Sequence, residues 1–361
     1  MKEINYISEI FLPSKSAYSI NVMKMCDAFS KLGFNTNLYV FRKEKNIHLF
    51  KIYNCKKKFK IIETKINKNN FLGRIKHALQ LVRLIKKNKS KHVIYSRSII
   101  SSLILSMFYE NVLLEVHHEL KGFTKVFFNL SKKMKYFKKI MFVYISRNLK
   151  NHYKINNRSI ILDDGVDLSN FKNFNSKKRI HNTCVYAGSF TKGKGIELIL
   201  KIAKITNKIN FHLYGDISNS EFTKLYFKKY KNVCYKGFAE YKNIPKILNK
   251  YYLYLMPYSK KVFVRSNNLE VGNYMSPLKL FEYMASKGVV MATEMNVYKH
   301  ILNKKNSILM NQNSSKKWKN KIESFFANKS NYNYLSKNSN IEVKNYTWEL
   351  RVKKILNFID V

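Results

Sequence analysis

Ser276-Pro277-Leu278-Lys279-Leu280-Phe281-Glu282-Tyr283-Met284-Ala285-Ser286-Lys287-Gly288 reads as one short, bounded helix. Ser276 suits an N-cap, Pro277 suits the first helical position because its missing N–H would be unpaired there, and Gly288 suits the position past the C-terminal end. Leu278, Phe281, Met284 and Ala285 fall at helical spacing and can face a sheet, with Leu280 and Tyr283 flanking them. A helix start collects unpaired backbone N–H groups and the positive end of the dipole, which suits a diphosphate. On these residues alone the simpler reading is an ordinary surface helix with Lys279 and Glu282 paired.

Outward from that helix, strands and helices alternate. Cys184-Val185-Tyr186-Ala187 reads as a strand, Gly188-Ser189-Phe190-Thr191-Lys192-Gly193-Lys194-Gly195 as a loop, and Ile196 to about Ile205 as a helix. Glycines let backbone approach a phosphate and a lysine adds a point charge, although most such loops are plain turns. Phe211–Tyr214, Val233–Tyr235, Leu253–Met256, Val289–Ala292 and Ser307–Met310 read as further strands. Strand ends of a parallel sheet are where nucleotides sit, so Phe238 and Pro257 are candidate neighbours of a base. The polar loop Lys260–Asn273 carries Arg265, open to a reading as a mobile loop or as a donor contact.

The first half repeats the pattern. A strand at Asn5–Phe11, a loop through Pro13-Ser14-Lys15-Ser16, a helix at Ala17–Leu32, Gly33 and a strand at Asn37–Phe41 make one βαβ unit, without the usual glycine pair of a phosphate loop. Phe71–Ile85 is an amphipathic basic helix, and His92–Ser96, Leu113–His117 and Phe142–Ser146 read as strands. Lys121–Ile140 sets Phe123, Phe127, Leu130, Met134 and Phe137 on one side, largely away from Lys125, Lys132, Lys133, Lys135 and Lys139. Such a helix can lie on an anionic bilayer, each nearby lysine adding roughly 1 kcal/mol, or pack on its sheet with a solvated lysine face. Periodicity serves both readings.

Length and charge set the bounds. A chain of 361 residues with 45% hydrophobic side chains accommodates two domains of ordinary size. Cys26, Cys55, Cys184 and Cys234 show neither a close pair nor a zinc spacing, no signal-peptide pattern opens the chain, and a reducing cytoplasm fits best. The longest apolar candidate, Ser98–Tyr109, is too short to span a bilayer. A net charge of +46 favours anionic partners, but the lysine excess accompanies abundant Asn, Ile, Phe and Tyr, a bias that an AT-rich genome alone produces.

The run from Ser276 to Ala285 resembles the signature helix of glycosyltransferase family 4, the "glycosyl transferases group 1", retaining enzymes of the GT-B fold. The resemblance implies an α/β protein of two Rossmann-like domains facing across a cleft. It implies that Glu282 binds the donor's ribose, that Ser276, Pro277 and the backbone N–H groups of Leu278 and Lys279 hold the diphosphate, and that Gly188, Ser189 and Lys194 form the second phosphate contact. The family often carries an arginine where this chain has Ser189, so one phosphate contact is missing. It also often has a second glutamate, which touches the donor sugar, where this chain has Tyr274, and this leaves the sugar's identity open. Asp163-Asp164-Gly165-Val166-Asp167 with Phe171 resembles the family's link between domains, and Tyr346-Thr347-Trp348 with the stretch to Ile359 resembles its closing helix. The implied division is an acceptor-binding domain at 1–170, a nucleotide-sugar-binding domain at 171–344 and a helix at 345–361 that returns to the first domain. Asn173–Asn182 has linker composition, and Trp348 is expected as a buried anchor.

Glu115-Val116-His117-His118-Glu119 has the residue types of a metal cluster, but His117 and His118 on a strand point to opposite faces, which argues against a shared metal. The family often has an acid, one residue and then a histidine at this strand end. The resemblance therefore implies that His117 contacts the donor sugar near the reacting carbon, with His118 as the alternative. The expected function is sugar transfer without metal or cofactor, from a nucleotide-sugar to a saccharide or lipid-linked saccharide. The expected setting is the cytoplasm or the inner face of a bacterial membrane, in synthesis of lipopolysaccharide, capsule or O-antigen. One alternative is a nucleic-acid binder, prompted by the charge but lacking an RNA-recognition or helix-turn-helix pattern. Another is a nucleotide-sugar epimerase of the same fold, which the Ser276 helix disfavours.

Overall fold

A computed structural model describes residues 3–85, 92–171, 179–218, 222–264, 269–311 and 314–359. Arg265 and residues 173–178 of the expected linker lie outside the described residues. The chain divides into two compact units, Met1–Asp164 with Trp348–Val361, and Gly165–Thr347. The division thus precedes the 170/171 boundary read from the sequence. Val166 and Thr347 bridge one another, with the Val166 N–H donating to the Tyr346 carbonyl at 2.9 Å, and this pairing draws both flanking turns into the second unit.

The first unit holds one parallel sheet of seven strands: β1 (Glu3–Ile7), β2 (Asn35–Val40), β3 (Lys60–Glu63), β4 (His92–Ser96), β5 (Val112–Val116), β6 (Ile140–Tyr144) and β7 (Ser159–Ile161). Their spatial order is β3-β2-β1-β4-β5-β6-β7. The second unit holds a parallel sheet of six: β8 (Ile180–Ala187), β9 (Asn210–Tyr214), β10 (Val233–Gly237), β11 (Tyr251–Met256), β12 (Val289–Thr293) and β13 (Ile308–Met310). Their order, β10-β9-β8-β11-β12-β13, repeats the first. Both are Rossmann-like, and each reverses direction at one switch point, β1/β4 and β8/β11, where the carboxyl ends of parallel strands receive ligands. Central strands such as Val112–Val116 and Val289–Thr293 are buried along their whole length, which explains their apolar runs.

Two local expectations shift. The first strand ends at Ile7 rather than Phe11, and Phe11–Leu12 pairs separately with Arg42–Lys43. The stretch Lys121–Ile140 is not one helix: Gly122–Ser131 is helical, Lys135–Lys139 is a 3₁₀ turn and Ile140 already belongs to β6. The Asn157 amide donates to the carbonyls of Phe137 and Ile140 at 2.7 and 2.8 Å, so the break is satisfied locally. Phe128 and Ser131 are the buried residues of that helix, while Phe123 is 77% and Leu130 58% exposed. Most of its apolar stripe therefore does not pack on the sheet.

Within the stretch Ser276–Gly288 the helix spans Leu278–Ala285. Pro277, not Ser276, is its N-cap, and no side chain caps it. Leu280, Phe281, Tyr283, Met284 and Ala285 are buried, whereas Leu278 is half-buried. Its end is closed by the Asn340 amide, which donates to the carbonyls of Met284 and Ser286 at 2.9 Å each, rather than by Gly288. Gly288 answers a different need, since a Cβ there would lie 2.6 Å from Tyr254 Cζ and 2.8 Å from the Tyr252 carbonyl oxygen. In the first unit the Trp348–Phe358 helix packs along Ala17–Lys31, with Trp348 buried at its start. No helix among the described residues is long and apolar enough to cross a membrane.

Candidate active site

In the second unit the β8/β11 switch point is built from three segments. The loop Gly188–Gly195 leaves β8 and folds over the end of β11, where Ser259 N–H donates to the Gly193 carbonyl at 2.9 Å. Gly195, at φ +85°, allows this approach, because a Cβ would stand 2.0 Å from the Pro257 carbonyl oxygen. Tyr283, from the Leu278 helix, accepts a hydrogen bond from Ala187 N–H at 2.8 Å and ties that helix to the end of β8. The Leu280 N–H donates to the Pro277 carbonyl at 2.9 Å. Leu278 and Lys279 open the helix with no side-chain cap, and first-turn N–H groups have no partner within their own helix, the arrangement a phosphate cradle uses.

Two ammonium groups converge here. Lys194 is buried, and its Nζ lies 4.7 Å from the centroid of the Tyr258 ring. Lys279 Nζ lies 3.6 Å from the Tyr186 centroid and 5.3 Å from that of Tyr258. The stem of Lys279 is partly exposed, yet its ammonium is enclosed and has no hydrogen-bond partner. Its path explains Gly188: a Cβ there would fall 2.2 Å from Lys279 Nζ. Burial lowers Lys194 to about 8. Burial, together with the neighbouring Lys194, holds Lys279 well below the usual lysine range, against the pull of Glu282. Aromatic faces offset part of the cost of enclosing a cation, by about 2 kcal/mol when desolvated.

Glu282 is half-buried one turn along the same helix. Burial raises it to about 7, and Lys279 pulls the other way. The surface pair read between Lys279 and Glu282 does not form, because the Lys279 side chain turns beneath Gly188 instead.

In the first unit Glu115 and His117 lie at and just beyond the end of β5, two residues apart and so on one face. Their side chains meet, His117 Nε2 against Glu115 Oε1. His118 turns elsewhere, its Nδ1–H donating to the Glu119 carbonyl at 2.8 Å. Asp164 comes close enough that one ligand atom each from Glu115, His117 and Asp164 would lie within 4.8 Å of one another. A cation already stands there: Arg351 Nη1 is 3.1 Å from Glu115 Oε2. Burial lifts Asp164 to about 7, against Arg351, and its Oδ1 accepts from Asn21 Nδ2 at 2.6 Å.

Residues 169–341, nearly the whole second unit, match the family described as "Glycosyl transferases group 1". This unit is a glycosyl transferases group 1 domain. The whole chain is similar in structure to a glycosyltransferase from Rickettsia africae, at 15% identity and a TM-score of 0.76, over 99% of this chain and 98% of that one. It is similar to Anabaena HepE in complex with UDP and glucose, at 11% identity and a TM-score of 0.71, over 100% of both chains. It is also similar to a variant of S. aureus TarM in complex with Fondaparinux, alpha-GlcNAc-glycerol and UDP, at 12% identity and a TM-score of 0.73, over 100% of both. No curated protein matches the chain in sequence. In fold the whole chain is similar to GT-B glycosyltransferases.

Within the glycosyltransferase domain, Gly188, Lys194, Pro277, Leu278, Lys279 and Glu282 gather around the ends of β8 and β11 or at the start of the signature helix. Ser189 is exposed, and its carbonyl accepts from the Tyr186 hydroxyl at 2.6 Å. Ser276 is buried ahead of the helix, and Tyr274 is half-buried in the preceding turn. Phe238 is 44% exposed just past β10. The sequence reading missed the aromatic walls Tyr186 and Tyr258, the side-chain role of Lys279, and Arg351. Tyr186 and Tyr258 sit at or near strand ends, a position that flags ligand contact in a parallel sheet. Nothing in the sequence marks Arg351, because its partners lie far away in the chain.

Proposed function

We propose that the chain is a retaining glycosyltransferase. It moves a sugar from a nucleotide-sugar to a saccharide or lipid-linked saccharide acceptor in bacterial cell-surface polysaccharide synthesis, that of lipopolysaccharide, capsule or O-antigen. The observation that carries this reading is the enclosed pair of ammonium groups, Lys194 and Lys279, beside an uncapped helix start. Two like charges in an aromatic enclosure need an anion, and a diphosphate supplies it. UDP is the first nucleotide to test, because HepE and the TarM variant hold it.

In this reading the diphosphate receives Lys194, Lys279 and the N–H groups of Leu278 and Lys279, and Glu282 binds the ribose hydroxyls. As the bond from the sugar to phosphate oxygen breaks, negative charge grows on the leaving diphosphate, so these donors favour the transition state over the ground state. The acceptor hydroxyl attacks from the face that the diphosphate leaves and passes its proton to a leaving phosphate oxygen, which retains the anomeric configuration. His117 contacts the donor sugar. Neutralisation of the diphosphate is assigned to the lysines, with no metal ion or cofactor.

Contact with an anionic cytoplasmic leaflet is supported by the exposed Phe123, Val126, Leu130 and Met134 beside the exposed Lys125, Lys132, Lys133 and Lys135. The deciding experiment screens UDP, GDP, ADP and their sugars for thermal stabilisation, then follows transfer and product anomer by NMR. One nucleotide should raise Tm by mass action and yield a product of retained configuration. Absence of stabilisation by every nucleotide, or an inverted product, would overturn the reading.

A further inference from the structure

We propose that Arg351, carried by the Trp348–Phe358 helix, is a positioning residue for His117: acting through Glu115, it fixes the imidazole as the tautomer protonated on Nε2 and leaves Nδ1 as the atom offered to substrate. The inference rests on the role given to His117 above.

The geometry is a chain of obligatory donors and acceptors. Arg351 Nε donates to the Asp163 carbonyl at 2.8 Å, and Nη1 donates to the Tyr95 hydroxyl and to Glu115 Oε2 at 3.1 Å each. Arg351 and Glu115 are both buried, with side-chain exposures of 3% and 0%. A guanidinium stays protonated, so it presents only donors. Burial opposes ionisation of Glu115, but Arg351 and His117 outweigh it and hold the carboxyl well below the usual range. An ionised carboxylate only accepts. Its Oε2 is taken by Arg351 and by the Tyr95 hydroxyl, and its Oε1 faces His117 Nε2. That nitrogen must then carry a hydrogen.

Burial, with Arg97 nearby, lowers His117 to about 3, so the ring is neutral at pH 7 and owns a single N–H. With that hydrogen committed to Glu115, Nδ1 is a bare acceptor, and it has no partner among the described residues. It suits a sugar hydroxyl, whose hydrogen it can accept. If Arg351 were neutral or absent, the buried carboxyl would take up a proton and could donate to the ring, releasing the other tautomer.

The test uses the full chain labelled with ¹⁵N-histidine, His117 being assigned by its loss in His117→Ala, together with steady-state kinetics on the donor identified above. The wild type should show His117 protonated on Nε2. Arg351→Gln should give the opposite or a mixed tautomer and lower kcat by about 100-fold with little change in donor KM, the size expected for a misplaced group. Arg351→Lys, which keeps the charge, should restore part of both. Glu115→Gln leaves Arg351 in place and should reproduce the tautomer change if Arg351→Gln does not fold. A folded Arg351→Gln or Glu115→Gln with the wild-type tautomer overturns the proposal even if activity falls, because a purely structural role would give that result. A changed tautomer with unchanged kcat also overturns it. Full transfer by His117→Ala would instead sink the assignment of His117 while leaving the tautomer measurement standing.

Discussion

The ammonium of Lys279 rests on the face of Tyr186, 3.6 Å from the ring centroid, with no hydrogen-bond acceptor of its own. A lysine in this state costs the folded protein stability and repays it only when an anion arrives. Lys279→Met keeps the stem and deletes the charge. It should raise the stability of the ligand-free protein by about 1–3 kcal/mol, the scale of an unsatisfied buried polar group. It should also weaken UDP binding by roughly 10- to 150-fold, as expected for a lost charge-assisted hydrogen bond of about 1.5–3 kcal/mol. Calorimetric unfolding and titration with UDP would check both, and a variant that is less stable yet binds normally would contradict the assignment.

The same site predicts how stability depends on pH. Glu282 sits at about 7 in the folded protein against an ordinary 4.5, so between those values the folded state binds more protons and stability falls as pH rises. Lys194 sits at about 8 against an ordinary 10.5, so above pH 8 the unfolded state binds more protons and stability rises with pH. The two contributions together are least favourable between pH 7 and 8. The difference in Tm between wild type and the double variant Glu282→Gln, Lys194→Met should therefore be most negative there. Saturating UDP should flatten the alkaline limb by restoring the Lys194 charge.

Loss of either functional charge should separate activity from folding. Glu282→Ala and Lys194→Ala should each remove most transfer while near-native circular dichroism is kept, since neither side chain is hydrogen-bonded into the core. Unchanged rates in either variant would withdraw that residue from the mechanism.

Gly288 offers a check on packing rather than chemistry. Gly288→Ala must push aside the Tyr254 ring and the Tyr252 carbonyl, and should destabilise by about 1–3 kcal/mol, the usual penalty of overpacking. A helix-capping role alone would make the loss depend on left-handed backbone, which Gly288 does not adopt. Denaturant midpoints measure the difference.

The exposed stripe beside the lysines should bind vesicles. Cosedimentation with phosphatidylglycerol-rich vesicles should fall with added salt, and should fall further in the double variant Phe123→Ser, Leu130→Ser. Equal binding to neutral vesicles would point away from an anionic surface.

Much of this molecule follows from local pattern. Apolar runs such as Val112–Val116 and Val289–Thr293, alternating with helical periods and punctuated by Gly and Pro, specify two parallel sheets, because the periods of strand and helix differ. That His117 and His118 diverge was equally legible, since neighbours on a strand point to opposite faces, whereas the contact of His117 with Glu115 came from the structure. Tertiary structure decided what periodicity leaves open, namely what covers each face. It exposed Phe123 and Leu130, closed the signature helix with Asn340 from elsewhere in the chain, and sent the Lys279 side chain under Gly188, where a missing Cβ leaves room. It also brought Arg351 to Glu115 across 236 positions of sequence, a contact that no local rule encodes because only the folded path of the last helix creates it.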